Sequence, residues 1–227
     1  MAKAKSYFAE SLVNAWALGA RAVSSGEGGG YVMVVSAGTS WHGTPADQHK
    51  LVAAADKWQA EHPTTVAEML LPHRVVLSNA QSQNAIDAGL KLFGRGRRRG
   101  LRFSGWTHTY FERMTGLWYN RLGIKSEIKA NRLLSVISKL NDWDRNAEAA
   151  FYIHTDLPTD TFRPRGGPCL QYVQFRAYGN QQLQIVGLYR AHDYTNKALG
   201  NMLGLQRLGQ FVASRTGELT RACLSCH

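Results

Sequence analysis

Gly179-Asn180 stands between two runs of β-forming residues within 170–190, and the stretch that follows, about 195–214, repeats large apolar residues at helical spacing. A turn pair flanked by apolar, β-branched and aromatic residues specifies a tight antiparallel hairpin. Leu199, Leu203, Leu205, Leu208, Phe211 and Val212 specify a long helix with a face to bury. A hairpin followed at once by such a helix places the chain among mixed helix–strand folds.

The rest of the chain is consistent with that class. Residues 6–24 carry Phe8, Leu12, Ala15, Trp16, Leu18 and Ala22 at helical spacing, and Tyr31 to Val35 read as a buried strand. Thr44-Pro45-Ala46-Asp47 reads as the start of a helix running to about His62 and stopped by Pro63. A short helix over 65–71, a strand over 74–77 and a helix over 82–93 follow, then a helix over 127–141 and a strand from Ala149 to Ile153. Strands and helices mix without a regular βαβ rhythm, so the expected class is α+β, a mixed sheet with packed helices. The 227 residues suffice for a single domain spanning 1–227.

Charge is the unusual quantity. Lys and Arg number 27 against 16 Asp and Glu, a net charge of +11, which suits a polyanionic partner or a small multiply charged ligand. Five of the arginines fall between Arg95 and Arg102, a stretch that reads as a glycine-punctuated loop. Guanidinium forks match phosphate oxygens, so the loop is either a phosphate or nucleic-acid contact or a solvated surface. Its Gly94 and Gly96 are not a dinucleotide fingerprint, since no buried strand precedes them. Three cysteines do not make a disulfide framework. No apolar run reaches the roughly 18–20 residues of a membrane span, and the first residues lack the apolar stretch of a secretory signal. The expectation is a cytoplasmic protein with no membrane association.

Cys169 closes the run Arg163-Pro164-Arg165-Gly166-Gly167-Pro168-Cys169, just before the hairpin. Neighbouring cations favour the thiolate, the form a nucleophile needs; a buried cysteine acting as a small hydrophobe is the alternative. Downstream stand Gln174-Phe175, Leu188-Tyr189-Arg190, Asp193 and Asn201, with Asp193 three residues and Asn201 eleven residues after Arg190. The Asn141-Asp142-Trp143-Asp144-Arg145-Asn146 run precedes the strand at 149.

In these motifs and their order the chain resembles the thymidylate synthase family, which includes the pyrimidine nucleotide hydroxymethylases. The resemblance is closest over 141–215 and extends more weakly back to about 106, where Tyr110 matches the tyrosine of a family segment. It implies a thymidylate-synthase-like homodimer that transfers a one-carbon unit from 5,10-methylenetetrahydrofolate to position 5 of a pyrimidine nucleotide monophosphate. Cys169 would add to ring position 6, with Tyr110 and Asp193 in the catalytic set. Arg190 would hold the phosphate and turn toward the thiolate, and Asn201 would grip the base edge. Gln174 would order the site, and Arg145 and Arg165 would add phosphate contacts, Arg145 across the dimer interface. Asp193 would also face the folate pterin, and His227 falls near the family's sugar-binding histidine.

The chain departs from the pattern at Leu170 after the cysteine, at Ala191 after the phosphate arginine and at Asn146 after Arg145. The catalytic glutamate has two candidates, Glu68 and Glu112. The sequence also ends about where the family's histidine lies, before the tail that covers the folate. Methyl and hydroxymethyl transfer therefore both stay open, as does a relative that binds a nucleotide, or nucleic acid through Arg95–Arg102, without turnover. The terminal Cys223-Leu224-Ser225-Cys226-His227 spells a haem-attachment motif and could lend three ligands to zinc; coincidence is the preferred reading, and no metal is expected.

Overall fold

Burial alternates residue by residue from Val173 to the end of Leu170–Tyr178 (β6) and along Gln182–Tyr189 (β7), which pair antiparallel as the hairpin pattern requires. Val173, Phe175, Ala177, Leu183 and Ile185 point to the core, while Gln174, Arg176, Gln184 and Val186 take the opposite face. The computed structural model describes residues 5–9, 11–26, 32–36, 49, 53, 62–99, 108–120, 122–144, 148–157, 160, 167–178, 181–217 and 221–226. The Gly179-Asn180 turn itself lies outside them.

Four further strands complete a six-stranded sheet: β1 (Lys5–Ala9), β2 (Val32–Ser36), β5 (Ala149–His154) and β8 (Arg221–Cys226), in the order β1-β2-β8-β7-β6-β5. Pairing is parallel for β1 with β2 and for β7 with β8, and antiparallel elsewhere. A two-stranded ribbon, β3 (Leu117–Tyr119) and β4 (Lys125–Glu127), stands apart. With its helices the protein is an α+β fold.

The helix after the hairpin, α7 (Ala198–Ser214), is buried on nearly every side. A helix apolar all round belongs in a core, and here β7 and β8 cover one side and α2 (Pro63–Leu70) another. The approach of α2 is allowed by glycine: a Cβ on Gly200 would lie 2.5 Å from Val66 Cβ and 2.7 Å from the Pro63 carbonyl oxygen, and one on Gly204 would lie 2.8 Å from Leu70 Cβ. Gly200→Ala is therefore expected to cost about 1–3 kcal/mol by overpacking, outweighing the ~1 kcal/mol gained in helix propensity. Urea denaturation measures it, and an unchanged or raised midpoint would contradict this packing.

Several local expectations are corrected. The apolar pattern over 6–24 divides into β1 and α1 (Leu12–Ser24), because residues 5–9 pair with β2 and the Ser11 hydroxyl caps the helix at Asn14 N. Pro63 starts α2, with His62 as its cap; the expected helix over 44–62 lies almost wholly outside the described residues, of which 49 and 53 are helical. The valines expected as a strand over 74–77 form the short helix α3 (His73–Val76), whose buried Val75 packs beside Gly89. The helix expected over 82–93 continues as α4 (Ser82–Arg98), so the first part of the arginine cluster is a helical last turn and not a loop. Cations there complement the helix dipole. Gly94 does not break α4; it admits the Tyr119 side chain, which a Cβ would meet at 2.6 Å. The helix expected from 127 starts at Arg132 (α6, Arg132–Asn141), capped by Asn131, since residues 125–127 pair as β4.

No helix among the described residues is long and apolar enough to cross a membrane.

Candidate functional site

Antiparallel pairing decides where the cysteine lies. Leu170 pairs with Tyr189, so Cys169 just before β6 and Arg190 just after β7 meet at the open end of the hairpin. The Arg190 amide donates to the Cys169 carbonyl at 2.8 Å. Its guanidinium turns back over the same turn, Nε donating to Pro168 O at 3.1 Å and Nη2 to Gly167 O at 2.9 Å. Arg190 thus braces the residues before the thiol while its remaining N–H groups are directed elsewhere, and its side chain is exposed. Between Leu170 and Tyr172 the register shifts, a bulge of the kind that re-aims residues at a sheet end.

A third element fixes the other side of the turn. Helix α5 (Tyr110–Thr115) starts in a capping box, Thr109 and Glu112 bonding each other's backbone amides. This sets Tyr110 against the start of β6, where its phenol oxygen accepts from Cys169 N and Leu170 N, both at 3.1 Å. Burial pushes the Tyr110 hydroxyl up to about 12, against the opposing effect of those two amides. Tyr110 is therefore a neutral phenol that positions the cysteine backbone. Tyr110→Phe is expected to leave two amides without their acceptor and to cost about 1–3 kcal/mol; chemical denaturation measures it, and a loss below the error of the fit would refute that bracing role.

The segment from β7 to α7 carries the rest. His192 stacks on Tyr189, with centroids 4.2 Å apart and planes 5° apart, and meets Tyr194 edge-on. Its Nε2 lies 3.1 Å from Asn201 Nδ2, and Asn201 is buried on the first turn of α7. Trp16 Nε1 of α1 donates to Tyr194 O at 2.9 Å and ties the segment down. Asp193 is exposed; its carboxylate oxygens accept from Asn196 N at 3.0 Å and Asn196 Nδ2 at 2.9 Å. Partial burial raises its pKa, but the Asn196 bonds, the Thr195 amide and Lys197 outweigh that and hold it below the usual carboxylate value.

Burial lowers the His192 pKa from 6.5 to about 4, only partly offset by the Asp193 charge. Between those values the unfolded chain binds a proton at this ring that the folded chain does not, so stability falls as pH drops through that window, by at most ~1.4 kcal/mol per pH unit. Urea midpoints at about pH 7 and about pH 5 are expected to separate further in the native protein than in His192→Gln, and equal separation would contradict a half-buried ring held neutral.

Cys169, Tyr110 and Arg190 are thus brought together, and Asn201 joins them through His192 and Tyr189. Gln174 is not: it lies on the outer face of the sheet, paired with Tyr152 and Val186, and no described hydrogen bond ties it to the group. Arg145, Arg165 and His227 lie outside the described residues. Neither glutamate candidate joins the cysteine. Glu112 is wholly buried, accepting from Arg97 Nη1 and Nη2 at 2.5 and 2.6 Å and from Thr109 N at 2.8 Å. Glu68 pairs with Arg207 at 2.8 Å and accepts from the His73 amide at 3.1 Å. His192 was not among the residues singled out from sequence; its only signal there is its place between Arg190 and Asp193.

Cys223 and Cys226 lie on β8, in register with Gln184 and Gly187. No group of three or more His, Cys, Asp or Glu among the described residues could hold a metal. A pocket of about 380 Å³ lies between β1 and α1, lined by Phe8, Ala9, Asn14, Ala17, Leu18 and Arg21, and shares no residue with the cysteine group.

Compared with known proteins, the chain matches no family model and no curated protein.

Proposed function

We propose that the open end of the β6–β7 hairpin binds a pyrimidine nucleotide monophosphate and that Cys169 adds to its ring. The observation that carries this reading is the bracing of Cys169 by Arg190 and Tyr110, with a buried Asn201 amide beside the same segment. An arginine next to a cysteine can hold a phosphate while the thiolate attacks. The Cys169 sulfur would form a bond to ring position 6, and the ring's double-bond electrons would shift through position 5 onto the carbonyl oxygen at position 4. A donor aimed at that oxygen lowers the barrier, and the Asn201 amide is the candidate for it.

Asp193 fits a pterin: it is exposed and anionic, and its carboxylate keeps acceptor capacity beyond its bonds to Asn196 and to the Thr195 amide. Methylenetetrahydrofolate would supply a one-carbon unit at the methylene level. Asp193 would accept from the pterin N–H groups, and Arg190 would keep the phosphate in place. A second copy of the chain would pack on the outer face of β5–β7, where Tyr152 is 60% exposed, and would bring Arg145 toward the neighbouring site. Incubating the protein with UMP, dUMP, CMP and dCMP and methylenetetrahydrofolate, followed by mass, tests the reading. A gain of a methyl or hydroxymethyl group on one nucleotide is the expected result, and no gain on any of them refutes turnover.

A polyanion-binding reading keeps one observation in its favour. Lys91, Arg95 and Arg99 are exposed at four-residue intervals along α4 and its C-cap, a single helical stripe. Arg97 is withdrawn from it by Glu112 and by the Trp118 ring, 5.5 Å away. Oligonucleotide binding that falls steeply with salt and is lost in Arg95→Ala/Arg99→Ala would favour this function.

A further inference from the structure

The Asn201 amide can present itself to a ligand in two ways that differ by a half-turn about its last bond. With Nδ2 toward His192 it offers a base Oδ1 and its second amino hydrogen in one order; reversed, the two change places. The two ways read different bases. Uracil offers a donor at N3 and an acceptor at O4, whereas cytosine offers an acceptor at N3 and a donor at N4. A freely turning amide can satisfy either, and a fixed one satisfies only one. In the structure Nδ2 faces His192 Nε2 at 3.1 Å. The His192 ring cannot swing away, because it lies flat on Tyr189, with planes 5° apart, and edge-on to Tyr194. Trp16 holds the Tyr194 backbone. The amide N–H can donate to Nε2 only if that nitrogen is bare, which requires the tautomer with its proton on Nδ1. Burial keeps the ring neutral at physiological pH.

We infer that His192 is a positioning residue that locks the Asn201 amide in one orientation and so sets which pyrimidine base the site accepts. The inference rests on the nucleotide reading of the site, but the lock itself does not. Protonation at Nε2 would turn the amide and exchange the donor and acceptor presented to the base.

Two measurements test it. Nitrogen-15 shifts of the His192 imidazole, assigned by comparison with His192→Gln, are expected to report the neutral ring protonated at Nδ1 in the ligand-free protein. An Nε2-protonated or charged ring at pH 7 overturns the lock, whatever the protein binds. Calorimetric Kd values for UMP and CMP are expected to differ by about 10-fold or more in the native protein. That ratio should shrink to within about threefold in His192→Ala, with binding of the disfavoured base improved. It should recover in His192→Gln, whose Oε1 can accept from Nδ2. A merely structural role would weaken both nucleotides together and leave the ratio unchanged, which overturns the inference. Thermal melts check folding, and if His192→Ala does not fold, the imidazole shifts and the His192→Gln ratio decide. A native protein with the Nδ1-protonated ring that binds neither nucleotide overturns the nucleotide reading and the specificity role with it, while the lock stands.

Discussion

If Cys169 adds to the ring as proposed, Cys169→Ala is expected to abolish exchange of the position-5 hydrogen of a pyrimidine nucleotide with solvent, by a factor of at least ~1000, while nucleotide binding changes little. The reasoning is geometric. Exchange at position 5 requires a bond to position 6, and Cys169 is the only nucleophilic thiol among the described residues of this group. The groups assigned to the phosphate and the base, Arg190 and Asn201, are held by other residues: Arg190 by the Gly167 and Pro168 carbonyls and Asn201 by His192. Tyr110 bonds the backbone amide at 169 rather than the side chain, so alanine keeps that support. Thermal stability should therefore stay within a few degrees of the native protein. Following loss of the proton signal in deuterated buffer gives the rate, and exchange that persists in the alanine variant would remove Cys169 from the mechanism.

The largest stability effect is expected at Glu112. Its side chain is fully buried, and its carboxylate holds both the Arg97 guanidinium and the Thr109 amide. Glu112→Gln takes the carboxylate charge away from the Arg97 guanidinium in a site with 11% side-chain exposure, and removing one partner of a buried pair costs about 3–5 kcal/mol. For a chain of this size that corresponds to a drop of very roughly 6–20 °C in melting temperature. Replacing both partners, as Arg97→Met with Glu112→Leu, should recover much of the loss, because no uncompensated charge is then buried. Equal destabilisation in the single and double variants would show that the capping of α5, and not the charge, is what matters. Because α5 carries Tyr110, Glu112→Gln should also loosen the turn before β6, and hydrogen exchange at the Cys169 and Leu170 amides reports that directly.

The hairpin and the buried helix were legible because their signals are local. Alternation along 170–178 and 182–189 and the apolar density of 198–214 depend on near neighbours in the chain, and β6, β7 and α7 lie within a few residues of where they were read. The meeting of Cys169 and Arg190 follows from the observed pairing of that hairpin, which brings its two ends together. Errors arose where distant partners overrule local preference. Two valines at 75 and 76 favour a strand, yet burial of Val75 beside α4 holds them in a helical turn. Glycines at 94 and 96 favour a loop, yet Tyr119 fills the space at Gly94, and Arg97 finds Glu112, so the helix continues to Arg98.

The sequence by itself determined the α+β class, the hairpin, the central helix and the chemistry on offer: a thiol at 169, an arginine, an aspartate and an asparagine at set intervals. Those properties follow from side-chain type and short-range periodicity. The tertiary structure alone decided which of these residues act as a group. It set Gln174 on the outer face and committed Glu112 to an ion pair. It made Tyr110 a brace for the cysteine backbone and placed His192 between Tyr189 and Asn201. The reason is that an orientation is fixed by packing from elements far apart in the chain: α1 on the Tyr194 segment, α5 on the start of β6, and α2 on α7 through Gly200. No spacing along the chain encodes those contacts.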